Sequence, residues 1–284
     1  MKILFATDGG EPAMAALTLL ERIATPQGSR ISVVTVDAGE SSLGDEGTAA
    51  SEDVLGPAVT KLREAGFTTD QRLLEGRPAD AILEEIAGGD YELTILGAGN
   101  RSQLGKILMG SVSTKILHAS PSSVMIVQQL ADLENRPVRV LLGTDGSKDA
   151  EIAVDRLIGL ADPSSSEVDV VSVAEHLMPV VSFPIPRVAY ATTGPTPERE
   201  QEWLDAAKQV ATRAATKLET AGFKSAARAR LGGPAAQLLK EMDDIQADLV
   251  VVGSVGLGAV QRAVLGSVSD QIVRVAPATL IARG

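Results

Sequence analysis

The chain has 284 residues, of which 44% are hydrophobic but only 2% aromatic, and its formal net charge is −11. That charge argues against a nucleic-acid partner, because a phosphate backbone would be repelled. Cysteine is absent, which excludes disulfides and thiolate ligands, and His118 and His176 are too few for a multi-histidine metal site. No apolar run is long enough to span a membrane, and residues 3–6 are too short for a signal-peptide core, so we expect a cytoplasmic location.

The predicted elements alternate between strand and helix along the chain. In the first half, strands are predicted near 2–7, 31–36, 69–74, 92–97 and 123–128, with helices near 11–24, 50–65, 78–88 and 111–119. In the second half, strands are predicted near 138–144, 168–173, 225–231, 248–253 and 278–282. Alternation at this spacing predicts an α/β fold in which helices cover both faces of a parallel sheet.

The chain also repeats itself. Asp8, at the end of the first strand, recurs as Asp145 after 137 residues, whereas Gly110 recurs as Gly266 after 156 residues. The second copy therefore carries 19 extra residues, since 156 exceeds 137 by 19, and they follow its second strand. The repeat predicts two domains, which we call copy one (1–130) and copy two (137–284), joined by a polar linker.

An aspartate followed by glycine ends the first strand of each copy. In open parallel sheets, ligands bind outside the carboxyl ends of the strands, where Asp8 and Asp145 would lie. A carboxylate there can accept a hydrogen bond from a ribose hydroxyl or an adenine amino group. Asp-Gly is also a common turn dipeptide, so a purely structural turn is the alternative.

A glycine loop follows the fourth strand of each copy. Copy two has Gly253, Gly256 and Gly266 at the spacing Gly-x2-Gly-x9-Gly, followed by Ser267. Copy one keeps this spacing with Asn100 at the second glycine position. Glycines let backbone N–H groups approach a phosphate, and a helix N-terminus favours an anion. The alternative for each serine is a helix N-cap, but the full spacing, present twice, favours phosphate binding.

Two basic residues in these loops are weaker candidates. Lys106 and Arg262 each lie four positions before the last glycine of their loop. Either side chain could neutralise phosphate charge. A solvated loop charge explains both residues equally well, so neither is included among the candidate site residues.

At these residues the chain resembles the universal stress protein family in its tandem two-domain form. The ATP-binding signature of that family is Gly-x2-Gly-x9-Gly-Ser/Thr after the fourth strand, which copy two matches fully and copy one matches except at Asn100. The resemblance implies two Rossmann-like domains of the adenine nucleotide alpha hydrolase-like kind, each a five-stranded parallel sheet flanked by helices. It implies ATP as the ligand, with Mg²⁺ allowed as its counter-ion.

The resemblance also assigns residues and an assembly. It implies that the strand-one aspartate contacts the adenosine and that the valine ending strand two lies near the adenine. It implies that the fifth strands, 123–128 and 279–283, pair in an intrachain pseudo-dimer, and it makes a homodimer of the whole chain plausible. The candidate cofactor-binding residues are, in copy two, Asp145, Val173, Gly253, Gly256, Gly266, Ser267, Val268 and Ser269, and, in copy one, Asp8, Val36, Gly97, Asn100, Gly110, Ser111, Val112 and Ser113.

Three functions remain open at this point. The first is an adenine-nucleotide-binding protein that acts in stress response or signalling through a protein partner of unknown identity. The second is a scaffold or chaperone-like protein with partly empty sites, and the third is a slow ATP hydrolase. No catalytic or metal-binding cluster recurs in both copies, so we do not predict an enzyme. The proline-rich segment 174–203 is interpreted either as a lid or contact surface, or as a solvated loop without a role.

Overall fold

The structure, a computed structural model, describes residues 1–37, 46–99, 109–133, 136–175, 196–256 and 265–284, with the backbone alone for 46–53. Copy one comprises β1 (Lys2–Ala6), α1 (Glu11–Ile23), β2 (Arg30–Asp37), α2 (Glu46–Glu64), β3 (Thr68–Glu75), α3 (Pro78–Gly88), β4 (Leu93–Gly97), α4 (Ser111–Ala119) and β5 (Ser123–Val127). Copy two comprises β6 (Val138–Gly143), α5 (Lys148–Leu160), β7 (Ser166–Ala174), α6 (Pro197–Thr220), β8 (Lys224–Leu231), α7 (Pro234–Ile245), β9 (Leu249–Gly253), α8 (Ser267–Val273) and β10 (Ala278–Ala282).

The ten described strands form one continuous sheet in the order β3-β2-β1-β4-β5-β10-β9-β6-β7-β8. Neighbouring strands within each copy are parallel, and only the join between β5 and β10 is antiparallel, with Ile126 opposite Thr279. The predicted α/β fold and the predicted pairing of the fifth strands are both confirmed. The pairing hides two strand edges that would otherwise be exposed.

Apolar residues on both faces of the strands explain why this sheet is buried between helices. Along β1, Ile3 and Phe5 join one apolar layer, whereas Leu4 and Ala6 join the other. This alternation follows from the two-residue period of a strand. Each layer contains buried residues of both copies, so the two halves share their hydrophobic cores.

Backbone contacts between α1 and α5 show a pseudo-two-fold relation of the copies. Thr25 N–H donates to the Leu160 carbonyl at 2.9 Å, and Asp162 N–H donates to the Ile23 carbonyl at 2.7 Å. The two donors, Thr25 and Asp162, are 137 residues apart, and so are the two acceptors, Ile23 and Leu160. The offset found in the sequence repeat is therefore reproduced in the contacts between the copies.

Two side chains reach across the join and cap helices of the opposite copy. Arg283 donates to the carbonyls of Leu117 and Ser120, at the C-terminal end of α4, at 2.7 and 2.6 Å. Gln128 Nε2 donates to the Val273 carbonyl, at the end of α8, at 2.5 Å. A cation near a helix C-terminus complements the helix dipole, so Arg283 stabilises α4 through charge as well as hydrogen bonding.

The segment predicted at 174–203 is shorter than expected. Ala174 ends β7, and α6 begins at Pro197, so Trp203 lies in a helix. Proline fits this position because the first turn of a helix does not need its N–H. Residues 176–195, which include His176 and most of the predicted lid, lie outside the described residues. None of the described helices is both long and apolar enough to cross a membrane.

Candidate functional site

A cavity of about 620 Å³ opens at the carboxyl ends of the central strands of copy two. It lies where β6 has β7 on one side and β9 on the other, which is a point of reversed strand order. Ligands of open α/β sheets bind at such a point. Its lining includes all eight candidate residues predicted in copy two, which are Asp145, Val173, Gly253, Gly256, Gly266, Ser267, Val268 and Ser269.

The lining of the cavity contains both apolar side chains and polar groups. Val171 and Val173 of β7 face it together with Leu238 of α7, and these side chains suit a planar apolar group. Polar groups of the strand-one turn and of the glycine loop also line it. Glu175 also lines the cavity, although the sequence analysis missed it. Its position directly after the end of β7, two residues beyond Val173, could have identified it.

The strand-one aspartate lies between a turn and the glycine loop. Asp145 Oδ1 accepts a hydrogen bond from Ser147 N–H at 2.9 Å, as the turn alternative predicts. Its Oδ2 lies 2.7 Å from the position that a Cβ atom would take at Gly256. A side chain at residue 256 would collide with this carboxylate, so glycine at this position allows the loop to approach Asp145.

Helix packing accounts for the first glycine of each loop. A Cβ atom at Gly253 would lie 3.0 Å from the backbone nitrogen of Ala150, in the first turn of α5. The equivalent distance in copy one, from Gly97 to the nitrogen of Ala13, is 2.6 Å. Glycine is therefore required here even without a ligand, which the sequence pattern alone did not distinguish from phosphate binding.

The last glycine of each loop, not the serine after it, is the N-cap of the following helix. Gly266 caps α8 and Gly110 caps α4, and neither provides a side-chain cap. The N-cap alternative for Ser267 and Ser111 is therefore wrong, since both are the first helical residues. The first turn of a helix leaves backbone N–H groups without intrahelical partners. In copy two these N–H groups belong to residues that line the cavity.

The serine two positions further on has a structural partner in both copies. Ser269 Oγ donates to the Gly253 carbonyl at 2.7 Å, and Ser113 Oγ donates to the Ala98 carbonyl at 3.2 Å. Both side chains are buried. These bonds join the end of each loop to its beginning, so the hydroxyl hydrogens of Ser269 and Ser113 are already used within the protein.

Copy one repeats the described parts of this arrangement. Asp8 Oδ1 accepts from Gly10 N–H at 2.9 Å, and Gly110 N–H donates to the Ala98 carbonyl at 2.5 Å. Val36 and Val112 are half-buried against the apolar layer. Asn100 and Lys106 of copy one and Arg262 of copy two lie outside the described residues. Whether the asparagine fits the loop therefore stays an open prediction.

The electrostatics of the copy-two cavity are unusual for an anion site. Among the described lining residues, Asp145 and Glu175 carry charge and no lysine or arginine is present. Within this described lining, backbone N–H groups are the donors that could hold an anion. Across the described part of the chain, no group of three His, Cys, Asp or Glu could hold a metal ion by itself.

These features define a tandem α/β protein with a ligand cavity at the carboxyl edge of its sheet. The universal stress protein family model matches residues 1–128 and 138–282. The chain therefore belongs to the universal stress protein family, in tandem form. A curated Staphylococcus aureus protein that carries the universal stress protein name is 33% identical over 144 residues, covering 50% of this chain and 81% of that protein.

Solved structures support the fold over the whole length of the chain. A universal stress protein from Archaeoglobus fulgidus has a TM-score of 0.66 at 22% identity, covering 99% of this chain and 96% of that chain. A Pseudomonas aeruginosa protein named for the same family has a TM-score of 0.64 at 17% identity, covering 99% and 92%. At these identities the similarity carries the architecture and not a ligand.

Proposed function

We propose that this universal stress protein binds an adenine nucleotide, with ATP as the first candidate, in the copy-two cavity. The observation that carries the proposal is the convergence of Asp145, Val173 and both ends of the glycine loop on one cavity. We propose further that binding serves stress response or signalling, because occupancy changes the surface that a protein partner would contact. We also propose that the protein is located in the cytoplasm. We propose that its two domains span residues 1–130 and 137–284.

The cavity offers a different environment to each part of a nucleotide. The adenine ring would lie against the apolar wall of Val171, Val173 and Leu238. The ribose hydroxyls would donate to the Asp145 carboxylate, because its two oxygens can accept several hydrogen bonds. The phosphates would lie at Gly256 and at the start of α8, where backbone N–H groups are available.

A magnesium ion fits this arrangement only as a counter-ion of the phosphates. Asp145 and Glu175 could each supply one oxygen ligand, and Mg²⁺ bound to a nucleotide often keeps several waters. No step of a reaction is assigned to it, and neither copy is proposed to be an enzyme. In copy one we propose an equivalent site at Asp8, Val36, Gly97, Asn100, Gly110, Ser111, Val112 and Ser113.

The proposal is tested by a charge placed at the start of α8. Gly266 has a φ of −64°, which any residue adopts, and aspartate is a favoured N-cap residue. A Cβ atom there would lie 3.1 Å from the Ser254 carbonyl oxygen, so both variants require the same small shift of the loop. Gly266→Asp should therefore fold but exclude a phosphate by repulsion. Gly266→Asn is the matched neutral control and should keep more of the ATP affinity.

ATP binding to both variants is measured by titration calorimetry, with unfolding midpoints recorded to show that the fold is retained. We expect the aspartate variant to lose the copy-two site and the asparagine variant to weaken it. ATP affinity that is unchanged in Gly266→Asp would show that the phosphates do not lie at this helix.

A further inference from the structure

A part-buried hydrogen bond behind the copy-two glycine loop connects the loop to the first helix of that copy. Ser254 Oγ donates to Asp149 Oδ2 at 2.6 Å. Ser254 is the second residue of the loop and is only 5% exposed, and Asp149 lies in the first turn of α5. Hydrogen bonds to an ionised acceptor are stronger than neutral ones, so this is a firm attachment.

Ser254 is also the residue at which the loop closes on itself. Its N–H donates to the Ala282 carbonyl of β10 at 2.9 Å, and its carbonyl accepts from Gly266 N–H at 2.8 Å. The backbone of Ser254 thus joins the beginning of the loop to the sheet and to the residue that starts α8. The side chain adds a third attachment, to α5, which fixes the loop base from another direction.

Copy one has the same loop base without this side-chain bond. Ala98 takes the place of Ser254, and Pro12 takes the place of Asp149. The backbone bonds are nevertheless present, since Ala98 N–H donates to Val127 at 2.8 Å and the Ala98 carbonyl accepts from Gly110. The fold therefore forms with alanine and proline at these positions, and the Ser254–Asp149 bond is an addition specific to copy two.

A half-buried cation, Arg283, lies near this pair. Burial lowers the pKa of the Arg283 guanidinium, and the negative charge of Asp149 acts in the opposite direction. Arg283 thus offsets part of the Asp149 charge behind the loop. This charge balance reduces the repulsion that the half-buried Asp149 carboxylate would otherwise exert on a phosphate.

We propose that Ser254 and Asp149 are positioning residues that hold the two described ends of the copy-two glycine loop, 253–256 and 265–266, in place for a phosphate and make copy two the tighter nucleotide site. The inference rests on the proposed function, because it concerns the same cavity. Loop ends that are already held in place before binding lose less conformational entropy when the phosphates arrive. The benefit is confined to ligands with phosphates, because the adenine wall is formed by other elements.

The test compares ATP with adenosine in the full-length chain. ATP and adenosine are titrated by calorimetry into the wild type, Ser254→Ala, Asp149→Asn and the double variant. We expect each single variant to weaken ATP binding at the tighter site about tenfold, which corresponds to one charge-assisted hydrogen bond. Adenosine binding should change by less than about twofold, and the double variant should be no weaker than either single variant.

Two controls separate positioning from a loss of stability. Ser254→Thr keeps the hydroxyl and should restore ATP affinity, whereas a general destabilisation would weaken ATP and adenosine alike. Unfolding midpoints are measured for every variant. Equal losses for ATP and adenosine, or single-variant losses that add in the double variant, would overturn the inference. A wild type that binds neither ligand would instead overturn the proposed function, and the inference with it.

Discussion

Copy one and copy two build the same backbone and support it with different polar side chains. At the base of the glycine loop, copy two has Ser254 and Asp149 where copy one has Ala98 and Pro12. The backbone hydrogen bonds around this position are nevertheless equivalent. The comparison teaches that the apolar pattern and the turns define the fold, whereas polar side chains behind the cavity can differ and tune the site.

The polar side chains also differ between the copies on the two outer strands of each copy. In copy one, Ser32 of β2 donates to Asp70 of β3 at 3.1 Å. In copy two the acid lies on the inner strand instead, where Asp169 of β7 pairs with Arg228 at 2.8 Å. Arg228 and Arg230 also pair with Glu241, which is buried. A carboxylate has therefore changed strands while the strand register was kept.

The largest expected difference in stability between the copies concerns the acidic residue directly before β9 in copy two and before β4 in copy one. Asp248, only 3% exposed, accepts two hydrogen bonds from Arg136 at 2.6 and 2.8 Å and one from Arg139 N–H at 2.9 Å. The side chain of its counterpart Glu92 is 49% exposed and pairs with Arg156 at 2.8 Å. Removing one partner of a buried ion pair costs far more than removing an exposed one.

We expect Asp248→Asn to lower the free energy of unfolding by about 3 kcal/mol, since Arg136 loses its partner. Glu92→Gln should lower it by less than about 1 kcal/mol. Urea unfolding followed by circular dichroism measures both values. Similar losses of unfolding free energy in the two variants would contradict this expectation. They would show that the Arg136–Asp248 pair stabilises the fold no more than the more exposed Glu92–Arg156 pair does.

A smaller difference is expected between the two side chains that cap helices across the join. Arg283→Met leaves the carbonyls of Leu117 and Ser120 without these donors and removes a charge from the α4 terminus. We expect a loss of about 2 kcal/mol, compared with about 1 kcal/mol for Gln128→Met, which removes one neutral donor. Unfolding in urea measures the loss of unfolding free energy in each variant. Amide hydrogen exchange in α4 should become faster in Arg283→Met and should not change in Gln128→Met. Exchange that rises equally in α4 and α8 would contradict the capping assignment.

Much of this fold follows from the sequence, and the reasons lie in particular residues. The strand ends fall within two residues of the predicted ones. For β2, β4 and β9 the reason is an apolar run that ends at aspartate or glycine. Helix α2 was predicted to start at 50 but begins at Glu46, since helix N-termini lack a sharp signal without a clear cap. The repeated aspartate and glycine loop predicted part of the copy-two cavity lining, but not Val171, Glu175 or Leu238.

The long-range polar contacts could not be predicted. Ser254 and Asp149 are separated by 105 residues, and Arg283 lies 163 residues from the Ser120 carbonyl that it caps. No local pattern marks such pairs, because serine, aspartate and arginine are usually solvated. The sequence also could not show why residue 253 is glycine, because packing against α5 and the approach of a phosphate both require glycine there.

A graft from copy two into copy one sharpens the comparison of the sites. Pro12→Asp together with Ala98→Ser should recreate the hydroxyl–carboxylate bond behind the copy-one loop. We expect the ATP affinity of copy one to rise by roughly threefold to tenfold, because the loop base gains an attachment. Calorimetric titration of the grafted chain measures the weaker site. Ala98→Ser alone is the control and should give no gain, so an equal gain from the single substitution would contradict the pairing argument.

The smallest effect on stability at neutral pH is expected from Tyr91, which lies at a position where copy two has no tyrosine. Burial and the hydrogen bond to Glu85 raise the pKa of Tyr91 to about 12. The folded-state pKa thus lies above the ordinary value of about 10, so the stabilisation is complete below pH ~10 and is lost as the pH rises towards ~12. Copy two has Ala247 at this position.

Unfolding free energies measured from neutral to alkaline pH should fall less steeply above pH ~10 in Tyr91→Phe than in the wild type. Hydrogen exchange at high pH should locate the loosening near α3 and β4 of copy one. An identical alkaline slope in both proteins would show that Tyr91 ionises at its ordinary pKa.

The most direct test of the central claim is the number of nucleotides held by each chain. The protein is saturated with ATP, freed of excess ligand and denatured, and the released adenine nucleotide is counted against the protein concentration. We predict at least one nucleotide per chain, and one fewer in Gly266→Asp than in the wild type. Two per chain would show that copy one also binds, with Asn100 tolerated, whereas none in the saturated wild type would contradict the account.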